Sequence, residues 1–360
     1  MTATVGAAPE ARAARGRELA ERALAGERLA LARLITEIEN RTRAGEAGLR
    51  RLYPLAGGAH LVGLTGAPGA GKSTLVAALV GAARAGGRPV AVVAIDPSSP
   101  ITGGAILGDR VRMQAYAGDR DVFIRSMASR GHAGGLAIAT VATAAVLDAV
   151  GFPLVLIETV GTGQAEVEVA AIADTTVVVQ APEMGDEIQA IKAGLLEVAD
   201  LVVVNKGDRP GAQRTAAQLR AMLTVGAHSD RLAAAEGRQT PKRPTVLIAT
   251  ALTGAGVPEL LAALDRRHAA WFADGSAPTA RLARARTELL GIVTERLGER
   301  LREPAMAALT DGTLAAVAAH RLDPYAGADA ILDALAHPPA RPHRLLRPPR
   351  NDRPSIRDPS

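Results

Sequence analysis

Leu61-Val62-Gly63-Leu64-Thr65-Gly66-Ala67-Pro68-Gly69-Ala70-Gly71-Lys72-Ser73-Thr74 decides the fold. An apolar run enters a glycine-rich turn, and the turn opens into an amphipathic segment carrying Leu75, Val76, Leu79 and Val80. The G-x-x-x-x-G-K-[ST] pattern therefore stands between a strand and a helix, the context that marks a phosphate-binding loop. Its glycines, Gly66, Gly69 and Gly71, let backbone N–H groups converge on phosphate oxygens, and the helix N-terminus adds its positive dipole end. Lys72 supplies a point charge to the phosphates, and Ser73 is the expected magnesium ligand. The whole stretch from Gly66 through Ala67, Pro68, Gly69, Ala70, Gly71, Lys72 and Ser73 to Thr74 is read as nucleotide-binding.

Outward from this loop, short apolar runs alternate with helical segments as far as Trp271. The runs are Leu61 to Leu64, Val90 to Ile95, Leu154 to Ile157, Thr176 to Val179, Leu201 to Val204 and Val246 to Ile248. Unbroken β-branched runs of this length indicate strands buried on both faces, hence an α/β fold with a mainly parallel sheet covered by helices. Ligands in such sheets sit at the carboxyl ends of the strands. Upstream, residues 9 to 42 carry Leu19, Leu24, Leu31, Leu34, Ile35 and Ile38 at helical spacing, which predicts two amphipathic helices. They read as a flap packed on the nucleotide domain, with a partner-docking surface as the alternative. After Trp271, Asp274 to Thr279 has the composition of a linker. Two helical runs follow, Arg281 to Arg302 and Leu314 to Leu335, too short and charged to fold alone.

Composition narrows the function. The 360 residues contain no cysteine, so disulfides, thiolate metal sites and cysteine nucleophiles are excluded. Neither a membrane-spanning stretch nor a signal-peptide core is evident, and cytoplasmic residence is expected. The net charge of +5 is concentrated in the Pro-rich tail, where Arg341, Arg344, Arg347, Arg350, Arg353 and Arg357 face only Asp352 and Asp358. That tail cannot build a core and is expected to be disordered, not a nucleic-acid domain. The lysines are Lys72, Lys192, Lys206 and Lys242, and where lysine persists among so many arginines a compact ammonium is a candidate requirement. Seven scattered histidines form no metal-ligand spacing.

The remaining strand ends carry chemistry. Leu201 to Val204 leads into Asn205-Lys206-Gly207-Asp208. A carboxylate there accepts from both N1–H and the exocyclic amine of guanine, a donor pair that adenine lacks on that edge, while Asn205 and the Lys206 stem hold the ring and loop. The expected nucleotide is GTP. Thr250, Ala251 and Leu252 follow another strand and are placed to offer a backbone N–H to guanine O6. Leu154 to Ile157 ends at Glu158, positioned to hold magnesium through water, and Gly161 is placed to offer its N–H to the γ-phosphate. Ras-like GTPases carry a water-orienting glutamine directly after that glycine; here the position is Thr162, and Gln164 comes two later. Hydrolysis is therefore expected to be slow unless a partner or another residue orients water. Asp96 ends a strand beside the phosphate loop, and a Ser/Pro/Gly segment then leads to Asp109, Arg110 and Arg112. Asp96 and Asp109 are candidate magnesium ligands, directly or through water; alternatively Asp96 polarises the attacking water. Gln180 to Gly194 reads on physical grounds as an ordinary acidic loop entering a helix.

Taken together, these stretches resemble the MeaB/ArgK family of P-loop GTPases, the methylmalonyl-CoA mutase-associated GTPases of the SIMIBI class. Ala30 to Glu39, Gly66 to Thr74, Asp96-Pro-Ser-Ser-Pro100, Gly103 to Met113, Phe123 to Gly131, Glu158 to Gln164, Asn205 to Asp208, Ala251 to Gly254 and Leu322 to Tyr325 carry the resemblance. It implies a chaperone that couples GTP binding and hydrolysis to adenosylcobalamin loading and protection of an acyl-CoA mutase. It also implies magnesium held among Ser73, Asp96, Asp109 and Glu158, and a Lys192 that couples mutase binding to activation. Lys72, Asp96, Glu158 and Lys192 are the expected catalytic set. A homodimer formed through the C-terminal arm is implied as well. The expected organisation is a helical extension over 1–55, a P-loop GTPase domain over 56–273, a dimerisation arm over 280–336 and a tail over 337–360. A metal-inserting SIMIBI GTPase and a P-loop small-molecule kinase are the competing readings; the former predicts a Cys/His cluster and the latter ATP. If Asp208 reads guanine, the wild-type protein binds GTP more tightly than ATP and Asp208→Ala closes the gap. Titration of both nucleotides into both proteins checks this, and equal wild-type affinities would sink the guanine assignment.

Overall fold

A computed structural model describes residues 4–97, 114–116, 118–129, 135–159, 169–182, 195–235, 244–273 and 276–337. Two compact units divide the chain, Met1–Gly291 and Ile292–Ser360. The first is built on a seven-stranded sheet: β1 His60–Thr65, β2 Val90–Pro97, β3 Val122–Ser129, β4 Leu154–Thr159, β5 Thr175–Gln180, β6 Leu201–Val204 and β7 Thr245–Ile248. The order is β3-β2-β4-β1-β5-β6-β7, and every pairing is parallel. The six expected strands are present. The seventh, β3, was not expected as a strand, because Arg125, Ser126 and Ser129 interrupt its apolar run. It lies at the sheet edge, where a strand has only one neighbour and tolerates polar residues.

Burial explains why these segments are strands. All residues of β1, β4, β5 and β6 are buried, so both faces need apolar cover. On one face α4 (Lys72–Ala85) and the helix Val257–Ala273 pack Leu75, Leu79, Leu260 and Leu264 against Val62, Leu64, Val177 and Val179. On the other, α5 (Gly135–Ala149) shares a core with Val93, Ile95, Val155 and Ile157, and the helix Ala212–Ala235 covers Val178, Val202 and Val204. No helix among the described residues is long and apolar enough to cross a membrane.

Three helices precede the sheet: α1 Thr4–Leu24, α2 Arg28–Glu39 and α3 Arg43–Leu52. The two expected amphipathic helices are there, and their Leu19, Leu31, Leu34, Ile35 and Ile38 join the core containing Phe123, Met127 and Leu147. The flap thus packs on the sheet domain. Gly16 allows α1 and α3 to meet, since a Cβ there would fall 1.9 Å from the Ala44 carbonyl oxygen. Arg28 fastens α2 to the start of β3 by donating to the carbonyls of Asp119, Arg120 and Val122.

The helices α6 (Leu195–Val198), α7 (Ala212–Ala235), α8 (Val257–Ala273), α9 (Ser276–Arg302), α10 (Pro304–Ala318) and α11 (Pro324–Ala336) complete the chain. Two expectations need correction. The linker placed over Asp274 to Thr279 is already helical at Ser276, because the following Arg/Ala/Leu-rich segment has strong helix propensity and extends upstream. The run Leu314 to Leu335 is two helices, not one. It breaks where His320 adopts a positive φ of 54° and Asp323 caps the next helix by accepting from the N–H groups of Tyr325 and Ala326. The tail after His337 lies outside the described residues.

The amino ends of the strands are fastened by buried aspartates. Asp174 accepts from Leu61 N–H at 2.8 Å and pairs with Arg284; Asp200 accepts from Thr176 N–H at 2.9 Å and pairs with Arg267 at 2.7 Å. His60 is fully buried at the start of β1, hydrogen-bonded to the Thr175 hydroxyl at 2.8 Å and stacked 4.4 Å from His268. Burial, reinforced by His268, Arg88 and Arg267, lowers its pKa from 6.5 to about 3. The unfolded chain therefore binds a proton that the folded one refuses between those two values, so stability falls as pH drops through this window. Urea midpoints measured from pH 7.5 down to 5 should decline, with a contribution of at most about 1.4 kcal/mol per pH unit from this group. His60→Asn should flatten the decline.

Candidate functional site

The carboxyl end of β1 turns sharply at Gly66, whose φ is 136°. A Cβ there would lie 2.1 Å from the Val179 carbonyl oxygen, so the loop can rest on β5 only because this residue is glycine. Gly69 and Gly71 also have positive φ, 78° and 89°, and Gly71 caps α4 in the left-handed conformation. The backbone N–H groups at the start of α4 are thereby presented at a helix N-terminus, the arrangement that attracts phosphate. Lys72, 7 % exposed, donates to the carbonyls of Gly66 at 2.7 Å and Ala67 at 3.1 Å. Its ammonium is folded back over the loop that would surround a phosphate chain.

Sheet register brings the acidic strand ends alongside. Glu158 is level with Leu64 on one side and Ala94 on the other, so β4 delivers its carboxylate beside the phosphate loop. The Ser73 hydroxyl donates to Glu158 Oε1 at 2.6 Å. Both groups are hard oxygen donors, and Glu158 is 3 % exposed, so this junction has the chemistry of a divalent hard-cation site. Asp96 falls at the end of β2, level with Ala128 of β3, on the same edge of the sheet. Asp109, Gly161, Thr162 and Lys192 lie outside the described residues. Among the described residues no group of three or more His, Asp or Glu gathers as a metal cluster.

On the other side of β1, β6 brings Asn205 against the same loop. Its Nδ2 donates to the carbonyls of Ala70 at 3.0 Å and Gly71 at 3.3 Å, while its Oδ1 accepts from Ala251 N–H at 3.1 Å. A Cβ on Gly71 would sit 2.4 Å from Asn205 Nδ2. Lys206, at a φ of 57°, donates to the Gly69 carbonyl at 2.7 Å. The segment Thr250-Ala251-Leu252 is folded by the bond from Thr250 N–H to the Ala255 carbonyl at 2.8 Å. Leu252 is 85 % exposed and Asp208 is exposed, with neither sealed into the core. Three sequence-distant stretches, Gly66 to Thr74, Asn205 to Asp208 and Thr250 to Leu252, therefore meet at one edge of the sheet.

Sequence reading missed the buried hydroxyl pair of Thr65 and Thr159, 3.3 Å apart beneath the loop. Its only signal is a threonine closing each of two mainly apolar strands. Asn205→Ala removes the donor and acceptor that join the three stretches. It should weaken GTP and GDP alike by roughly 10- to 100-fold, as measured by equilibrium titration, and lower the unfolding midpoint of the nucleotide-free protein as well, because buried backbone groups lose their partner.

Comparison with known proteins extends this geometry. The family model for the methylmalonyl Co-A mutase-associated GTPase MeaB matches residues 31–306. A protein of Pyrococcus abyssi named as a candidate GTPase is 42% identical over 318 residues, covering 88% of this chain and 96% of its own. A mouse protein named as the mitochondrial methylmalonic aciduria type A homolog is 32% identical over 294 residues, 77% of this chain and 69% of its own. Among solved structures, one described as an LAO/AO transport system kinase superposes with a TM-score of 0.64 at 28% identity, covering 90% of this chain and 98% of that one.

Proposed function

The chain belongs to the family of methylmalonyl Co-A mutase-associated GTPases, MeaB, and is a GTP-hydrolysing enzyme; from that premise we propose that it is the GTPase chaperone of an adenosylcobalamin-dependent acyl-CoA mutase. The observation that carries the proposal is the family match over residues 31–306, which spans the nucleotide site together with most of α2, all of α3 and all of α8 and α9. The likeness to the mouse methylmalonic aciduria type A homolog supports the same direction. On this reading the protein acts in the cytoplasm, and GTP turnover gates loading and protection of the mutase cofactor.

The described geometry supports the roles given to the Gly66 to Thr74 loop, Asn205 and Lys206, and the family likeness supports those given to Asp109, Gly161 and Lys192. Backbone N–H groups between Gly66 and Thr74, other than at Pro68, which has none, hold the phosphates, and Lys72 swings its ammonium from the loop carbonyls to the phosphate oxygens. Ser73 and Glu158, with Asp96 and Asp109, would hold magnesium, whose charge offsets the negative charge that builds on the phosphate oxygens during transfer. Asp208 accepts from the guanine edge, Asn205 and Lys206 steady the loop beneath it, and Thr250, Ala251 and Leu252 close over the ring. Gly161 offers its N–H to the γ-phosphate, and Lys192 relays partner binding. Thr162 supplies no carboxamide to orient water, so intrinsic turnover is slow and the partner completes the site.

The C-terminal arm is assigned to self-association. Leu282, Leu289, Leu290, Val293 and Leu297 of α9 are exposed at helical spacing, an apolar stripe that a second copy would cover. The organisation into extension, GTPase domain, arm and tail, at 1–55, 56–273, 280–336 and 337–360, belongs to the same reading.

The chaperone proposal predicts that the protein, immobilised with a nonhydrolysable GTP analogue, captures a cobalamin-dependent mutase from the source cell. The purified mutase should then raise the single-turnover hydrolysis rate at least about tenfold, a barrier change near 1.4 kcal/mol. Recovery of no cobalamin enzyme, or fast hydrolysis by the isolated protein, would count against it.

A further inference from the structure

Gln180 closes β5 at the junction of the two nucleotide segments. The carbonyl of the preceding Val179 is the atom on which Gly66 rests. Gln180 itself is level with Val204, and its carbonyl accepts from Asn205 N–H at 2.7 Å. Its backbone is therefore pinned between the phosphate loop and the Asn205 segment. Its side chain is 1 % exposed, yet neither Oε1 nor Nε2 has a hydrogen-bond partner among the described residues. Strand alternation puts it on the face of Val178, which packs against α7, opposite α4.

A carboxamide sealed from water with both ends unpaired is costly, and an apolar side chain of similar volume would avoid that cost. On the same face of β5 the next residue inward is Val178, which packs in the core; at the strand end, where the nucleotide segments adjoin, the chain carries glutamine instead. We propose that Gln180 is a positioning residue for guanine nucleotide. Its carboxamide gains hydrogen bonds when GTP binds and the adjoining Gly66 and Asn205 segments settle around the nucleotide. Because only the bound form satisfies the amide, its pairing favours that form, and the gain appears as affinity. This adds a residue outside the loop motifs to the GTP site. Gln180 touches no reacting atom on this account and acts through its neighbours.

The test replaces the carboxamide without emptying the space. Gln180→Met should leave the melting temperature of the protein without nucleotide unchanged or higher, because an unpaired buried amide has been removed. It should raise KM for GTP about tenfold or more while kcat stays within about twofold, the signature of lost binding common to ground and transition states. The stabilisation conferred by a fixed concentration of GTP should shrink accordingly. An unchanged KM overturns the proposal, as does a fall in the nucleotide-free melting temperature matching the loss of affinity, which would mean a packing role. A measurement on the unaltered chain guards against a variant that fails to fold. In ¹⁵N-labelled protein, the side-chain amide pair of Gln180, assigned by selective labelling, should shift and gain exchange protection on adding GTP with magnesium. A pair indifferent to GTP overturns the proposal. Failure of the wild type to bind GTP at all would instead strike at the GTPase assignment.

Discussion

One side chain, the Asn205 carboxamide, sets the geometry of the nucleotide edge. It donates to two carbonyls of the phosphate loop and accepts from Ala251, so a single planar group fixes the separation of three loops. Neighbouring sequence features follow from how closely these loops pack. Gly71 must lack a Cβ because Asn205 Nδ2 occupies the space, and Gly207 must lack one because Ile248 Cγ2 would lie 2.6 Å away. Lys206 accepts an uncommon positive φ, which carries its stem across the loop to the Gly69 carbonyl. A hydrogen-bonded amide in a buried setting is worth more than its individual bonds suggest, since loss of either end leaves unpaired backbone groups.

The sheet has two chemically different ends, and this division separates stability from function. At the amino ends, Asp174 and Asp200 cap backbone N–H groups and are each paired with an arginine from a C-terminal helix. Those carboxylates have their lone pairs engaged within the protein, and breaking such a pair leaves an uncompensated buried charge. At the carboxyl ends the polar groups converge on an edge where glycines replace side chains. A rigid base therefore holds strands whose opposite tips form the site, as expected when ligands sit at the carboxyl ends of a parallel sheet.

What was legible in the sequence follows the same division. The phosphate loop and the Asn205 to Asp208 segment are local patterns whose chemistry needs those residues in that order, so they could be read without the fold. Their meeting was implied by the parallel-sheet inference, and register then supplied the contacts. Strand β3 was hidden because an edge strand need not be apolar throughout, and Arg125 serves there as partner to Glu39 of the flap. The break before α11 was hidden because Asp323 reads as a cap only once the helices on either side are known. Thr65 and Thr159 gave no periodic signal, for a hydroxyl pair formed across strands leaves no trace along either one.

The described part of the site is built mainly for holding. Asn205 and Lys206 are already engaged with loop carbonyls and set the frame of the site, so binding asks only that Lys72 leave the Gly66 and Ala67 carbonyls and Ser73 leave Glu158. Interactions made equally in ground and transition states lower KM without raising kcat. Speed must come from a group that meets the attacking water, and Thr162 lacks the carboxamide that does so in Ras-like GTPases. On the proposed reading, tight holding and slow chemistry are properties of the same architecture. A switch that must stay closed until a partner is in place requires a nucleotide that remains bound longer than it takes the partner to arrive. A preorganised loop with incomplete water positioning meets that requirement without any additional timing device.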